Sequence, residues 1–159
     1  NYAASMIAQT EGEKHGCKQV IFKDPHRGDA IEELGGMNVF FIFGKENKIV
    51  TPELTGTILE GVTRSSLIQL AKDRGMTVEE RAITLTEWRE GVANGDITEI
   101  FACGTAAVVA PIGKLKAEDF EIPAPTEHFG EISKSLREEL VGIQLGTVED
   151  RHGWMTRLI

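Results

Sequence analysis

Apolar positions along this chain repeat with two periods, one helical and one extended. Over 131–145, Ile132, Leu136, Leu140 and Ile143 recur at about 3.6 residues, the spacing of one buried helix face. Leu67, Ile68, Leu70 and Ala71 predict a second helix from Thr63 to Arg74, which Gly75 ends. Ala4, Ile7 and Ala8 place a third over 2–15, with Gly16 as its C-cap, and Thr86 reads as the N-cap of a short fourth. Strands are expected at Gln19-Val20-Ile21-Phe22, in the aromatic run 38–43, at Ile49-Val50, at 76–81, and at 97–101 and 106–112. Asp24-Pro25-His26-Arg27-Gly28-Asp29 reads as a tight connection, and Gly44-Lys45-Glu46-Asn47-Lys48 as the turn of a hairpin. No internal repeat or low-complexity linker interrupts the pattern. The mixture predicts one α/β or α+β domain, and 159 residues suffice to bury a real core.

Two small-residue turns carry the chemistry. Glu60-Gly61-Val62-Thr63-Arg64 opens the second helix, where unsatisfied N–H groups and the positive dipole end can face an anion. Cys103-Gly104-Thr105-Ala106-Ala107 is a second donor-rich turn between two strands. Together they suit a phosphate, although Thr63 could also serve only as a helix cap and Thr105 only to stabilise its turn. Glu33 places a carboxylate between two predicted strands.

Charge and cysteine usage narrow the classes. A net charge of -8 argues against nucleic-acid and anionic-membrane partners, which need clustered Lys and Arg. Cys17 and Cys103 are far apart and form no CxxC pair, so neither zinc nor a disulfide framework is expected and a reducing cytoplasm fits. His15, His26, His128 and His152 show no metal-ligand spacing. No apolar run approaches the roughly 18 residues of a membrane span, and no secretory pattern opens the chain.

Four segments, taken in order, resemble the branched-chain aminotransferases, fold-type IV enzymes that use pyridoxal 5'-phosphate. They are Asn1-Tyr2-Ala3-Ala4-Ser5, Glu33-Leu34-Gly35-Gly36-Met37-Asn38-Val39-Phe40, Gly61-Val62-Thr63-Arg64 and Gly104-Thr105-Ala106, and the likeness continues to Gln144-Leu145-Gly146. The resemblance implies the large C-terminal domain of that fold, with mixed β-sheets or a pseudo-barrel flanked by helices. It implies that 1–159 is this domain in truncated form, without the N-terminal small domain, and that the lysine forming the Schiff base lies upstream of Asn1. No catalytic residue is therefore expected here, and the isolated piece is expected to be inactive. Lys14 is a poor substitute, because Glu11, Glu13 and His15 would keep its amine charged.

By the same resemblance, Glu33 pairs with the cofactor's pyridine nitrogen and Tyr2 hydrogen-bonds its phenolic oxygen. Gly61, Val62, Thr63 and Thr105 hold the phosphate. Gly36, Thr105 and Ala106 border the substrate carboxylate; Gly36 stands where some relatives have a threonine, so its side chain offers no hydroxyl. Ala107 and Ala110 occupy the positions of a redox CxxC pair found in some members, so that switch is not expected. The implied reaction moves an amino group between Leu, Ile or Val and 2-oxoglutarate, in a cytoplasmic homodimer with amino-acid and 2-oxo-acid substrates. The alternatives are a D-amino-acid transaminase or an aminodeoxychorismate lyase on the same fold, or a piece that only binds cofactor or oligomerises.

Overall fold

The computed structural model describes 3–158, with side chains from 5 onward. Its centre is β3 (Asn38–Phe43), whose six residues are all buried. A strand covered on both faces needs no polar alternation, which is why its sequence is a continuous apolar run. β4 (Lys48–Thr51) returns antiparallel after a single 3-10 turn, closing the expected hairpin. On the other side β6 (Ile97–Gly104) pairs antiparallel with β3, and β7 (Val108–Pro111) antiparallel with β6. From β4 the chain crosses through α2 (Val62–Asp73) to β5 (Thr77–Glu80), which lies parallel to β4. The sheet order is thus β5-β4-β3-β6-β7.

Each face of this sheet carries its own core. On one, Phe40, Ile42, Ile49 and Phe101 meet Leu67 and Leu70 of α2 and Leu136, Leu140 and Ile143 of α4 (Glu131–Gln144). Phe40 and Phe101, opposite each other in register, stack with ring centroids 5.1 Å apart. On the other face Val39, Phe41 and Ile100 pack with Trp88 of α3 (Leu85–Ala93) and with the small antiparallel pair β1 (Ile21–Lys23) and β2 (Ile31–Leu34). A second small hairpin, β8 (Lys114–Lys116) with β9 (Glu121–Pro123), adds Ile122 to that core. The first helix, α1 (Ala3–Lys14), ends before Gly16, whose φ of +78° is the left-handed conformation expected of a C-cap glycine.

Several boundaries differ from the sequence reading. The N-cap of α3 is Thr84, whose hydroxyl accepts the Glu87 N–H at 3.0 Å, and not Thr86. Thr86 instead donates its hydroxyl to Asp29 at 2.8 Å, a long-range partner that local sequence does not reveal. The N-cap of α2 is Gly61, which moves Thr63 into the first turn. Glu33 does not sit between strands: Ile31–Leu34 is itself a strand, and Glu33 lies opposite Phe22 within it. Gly104 ends β6, so the turn after it is Thr105-Ala106-Ala107. The β8/β9 hairpin was not expected.

Candidate active site

Three segments meet at one end of the central sheet. The β2–β3 turn reverses the chain over Gly35-Gly36, with Leu34 and Met37 bonded to each other and Gly36 at φ +88°. This puts Glu33 and Asn38 at the two limbs of one turn. Asn38 stands opposite Cys103, which carries Gly104 and the following turn into the same region. A Cβ on Gly104 would lie 3.1 Å from Met37 Cγ and 3.6 Å from the Gly36 carbonyl, so a glycine lets the two turns approach. The third segment is the entry to α2. A Cβ on Gly61 would collide with Asn38 Oδ1, which excludes any side chain there while Asn38 keeps its place.

The structure therefore brings Glu33, Gly36, Gly61, Val62, Thr63, Gly104, Thr105 and Ala106 to one place through these direct contacts and chain neighbours. Tyr2 lies outside the described residues. Lys14, held at 2.9 Å by Glu11, is two-thirds exposed on α1.

The chemistry of the α2 entry suits an anion. Its N-cap is a glycine, so no side chain caps the helix, and the first-turn N–H groups have no intrahelical acceptor. Arg64, in that first turn, is buried; it donates to the Pro52 carbonyl at 2.9 Å and to Glu80 at 2.8 Å, while its Nε has no partner. The helix thus begins beyond the C-terminal end of β4 in a parallel β–α–β unit, and the guanidinium in its first turn is paired with Glu80. Open amides of this kind could hold a phosphate, and the space that a Gly61 side chain would need is taken by Asn38.

Glu33 supplies the opposite charge. Burial pushes its carboxyl above the ordinary range, the Leu59 N–H bond at 3.3 Å opposes that shift, and the charge of Glu32 adds to it. A carboxylate in this state gains from a cationic N–H partner, as a protonated pyridine would provide. The adjoining turn stores strain: Val108, a β-branched residue, is held at φ +58°, a conformation that costs L residues about 1–2 kcal/mol. Val62, Thr105 and Ala106 are exposed beside it and accessible to a ligand.

The sequence reading missed Asn38, Leu59 and Arg64 as parts of this place. Arg64 stood in the quoted Gly61-Val62-Thr63-Arg64 segment and could have been singled out, since an arginine so close to apolar helix positions needs buried partners. Leu59 acts through its backbone, which leaves no signature in residue type.

Comparison with known proteins gives the family. A family profile described as amino-transferase class IV matches residues 1–115. The chain belongs to the class IV aminotransferases. It is 50% identical over 160 residues to the branched-chain-amino-acid aminotransferase of Mycolicibacterium smegmatis, covering 99% of this chain and 44% of that protein. The branched-chain amino acid aminotransferase from Escherichia coli superposes with a TM-score of 0.80 at 27% identity, over 98% of this chain and 48% of that one. A second solved branched-chain amino acid aminotransferase, from T.th. and with pyridoxamine 5'-phosphate, gives 0.81 at 28% identity, over 98% and 46%. The chain thus spans less than half the length of these relatives, and the fold-type IV architecture is the one it shares with them.

Proposed function

We propose that these residues form the cofactor-binding face of a branched-chain amino-acid aminotransferase, moving an amino group between Leu, Ile or Val and 2-oxoglutarate. The observation that carries this reading is the convergence of Glu33 with the open start of α2, joined by the Leu59 N–H bond at 3.3 Å. Pyridoxal 5'-phosphate, when bound, supplies an electron sink for the carbon that loses or gains the amino group.

Each residue then has a task. The N–H groups of Val62 and Thr63, with the hydroxyls of Thr63 and Thr105, hold the phosphate; charge-assisted bonds of this type contribute about 1.5–3 kcal/mol each. Gly61 leaves the helix start without a capping side chain and makes room for Asn38 beside it. Glu33 would pair with the pyridine N–H and favour the proton there. Tyr2, by the family resemblance, would hydrogen-bond the cofactor's phenolic oxygen. Thr105 and the Ala106 N–H border the substrate carboxylate, and Gly36, lacking a hydroxyl, leaves that anchoring to them. Lys14 is held by Glu11 on α1, and residues 1–159 alone are expected to bind cofactor without turning over.

The reading extends to a cytoplasmic homodimer. Leu54, Leu59 and Val62 leave exposed apolar surface beside the site, which another segment or subunit would cover. Both cysteines are free, and no helix among the described residues is long and apolar enough to cross a membrane.

The test is an absorbance titration of the isolated 159-residue chain with pyridoxal 5'-phosphate and, separately, with pyridoxal, followed by borohydride and intact mass. Reversible binding of the phosphorylated form, weaker binding of pyridoxal and no fixed mass are expected. Equal or absent binding of the two would sink the phosphate assignment, and full transamination by the pure chain would overturn its expected inactivity.

A further inference from the structure

Leu59 is held at both ends of its backbone by side chains from a single turn. Its N–H donates to Glu33 Oε2 at 3.3 Å, and its carbonyl accepts from Asn38 Nδ2 at 3.0 Å. The same carbonyl also accepts the Gly61 N–H at 2.8 Å, which fixes the peptide that leads into α2. Asn38 is 5% exposed, and its other amide atom, Oδ1, lies where a Cβ on Gly61 would be. A buried amide that touches both Leu59 and Gly61 has little freedom of its own, since β3 pairs its residue with Cys103.

We propose that Asn38 is a positioning residue that acts through the Leu59 backbone: it sets the orientation of Glu33 and, by the same contacts, the place of the phosphate-binding turn. This rests on the cofactor-site reading given above. Glu33 is the group that would touch the pyridine ring, whereas the Asn38 amide is taken up by Leu59 and Gly61. Its amide holds the 59–61 segment where the Leu59 N–H can reach Glu33, and withdrawing that amide lets the segment relax from both places at once. A ring site and a phosphate site built on separate segments would otherwise drift independently, and a rigid cofactor needs a fixed distance between them.

The experiment needs no bound cofactor. The Glu33 side-chain carboxyl is titrated by carbon NMR in the ligand-free chain, in wild type and in Asn38→Ala, with folding checked by circular dichroism. The Leu59 N–H favours the ionised carboxylate, so its loss is expected to shift the Glu33 midpoint upward. Gly61→Ala, which pushes Asn38 aside from the opposite direction, is expected to shift it the same way, and it decides the matter if Asn38→Ala does not fold. An unchanged Glu33 midpoint in a folded variant overturns the proposal. Pyridoxal 5'-phosphate affinity, measured in parallel, is expected to fall up to roughly tenfold in Asn38→Ala, the loss of about one hydrogen bond. Should wild type not bind the cofactor, the site reading fails, while the Glu33 shift still reports on the Asn38 linkage.

Discussion

The Glu99 carboxylate, buried on β6, accepts the N–H of Ser133 at 2.8 Å, and its second oxygen accepts that of Ile132 at 2.9 Å. The N-cap position of α4 is Gly130, which has no side chain, so a distant glutamate performs the capping. The negative charge also meets the positive end of the helix. Replacing Glu99 with Ala leaves the buried Ser133 amide and the part-buried Ile132 amide without acceptors, and an expected loss of about 1–3 kcal/mol follows. Glu99→Gln keeps one acceptor and is expected to lose less. Urea unfolding of the three proteins checks the order; equal stabilities would mean that water replaces the carboxylate. Gly130→Ala should behave like the alanine variant, since its Cβ would collide with Glu99 Cδ and displace the carboxylate.

Glu33 is expected to trade stability for binding. Burial holds its carboxyl above the ordinary range, so the folded chain binds its proton more tightly than the unfolded chain does. Its contribution is therefore neutral below the unfolded-state value and becomes unfavourable as pH rises through the folded value. Glu33→Gln removes that penalty while its amide oxygen can still accept from Leu59. The variant is expected to melt higher than wild type at neutral pH and equally at low pH, yet to bind pyridoxal 5'-phosphate more weakly. Melting curves at two pH values, with a cofactor titration, give the answer; a lower melting point at neutral pH would show that the ionised carboxylate is stabilising.

What was legible in the sequence depended on how local the cause was. Ile132, Leu136, Leu140 and Ile143 state the buried face of α4 directly, because one face alone is covered. The run Asn38–Phe43 was equally plain, since burial on both sides of the sheet removes polar residues. The caps were misplaced because Thr84 and Thr86 are chemically alike, and only the distant Asp29 distinguishes them. The β8/β9 hairpin was lost because three-residue strands with Lys114, Lys116 and Glu121 outward carry almost no pattern. The candidate site residues rest on resemblance to a family, not on periodicity. The turn geometry explains why they come together: Glu33 and Asn38 flank one tight reversal, and Asn38 meets both Cys103 and Gly61. The Leu59 peptide that joins them could not be read from residue type.

The two thiols should differ sharply in reactivity. Cys103 is fully buried in the core beneath α2, and burial pushes its thiol up to about 12, with Arg64 opposing the shift. At neutral pH it holds its proton and has no access to reagent. Cys17 is half-buried after α1. A thiol reagent is expected to modify one cysteine in the native chain, Cys17, and both in denaturant, as read by peptide mass. Rapid native labelling of Cys103 would reveal local opening of β6.

Near its end the chain is fastened to α2 by a histidine–aspartate contact, and the contribution of the aspartate to stability has a definite pH sign. His152 Nε2 lies 2.6 Å from Asp73 Oδ2, its ring stacks on Trp154 with centroids 4.8 Å apart, and Gln69 donates to the other Asp73 oxygen at 2.9 Å. The bond from His152, then that from Gln69, hold the Asp73 carboxyl below the ordinary range, with the Arg151 charge helping. These partners offset the unfavourable place of an anion at a helix C-terminus. A depressed folded-state value makes the contribution of Asp73 fully present above the unfolded-state pKa and lost as pH falls through the folded one. His152→Ala removes the largest cause, so Asp73 should titrate closer to an ordinary aspartate. The variant is expected to be less stable than wild type above the ordinary carboxylate range, with the gap narrowing as both forms become protonated in acid. Urea midpoints measured across pH at low salt would follow that narrowing, and a gap of constant size would assign the effect to the stacking on Trp154 instead of to the charge on Asp73.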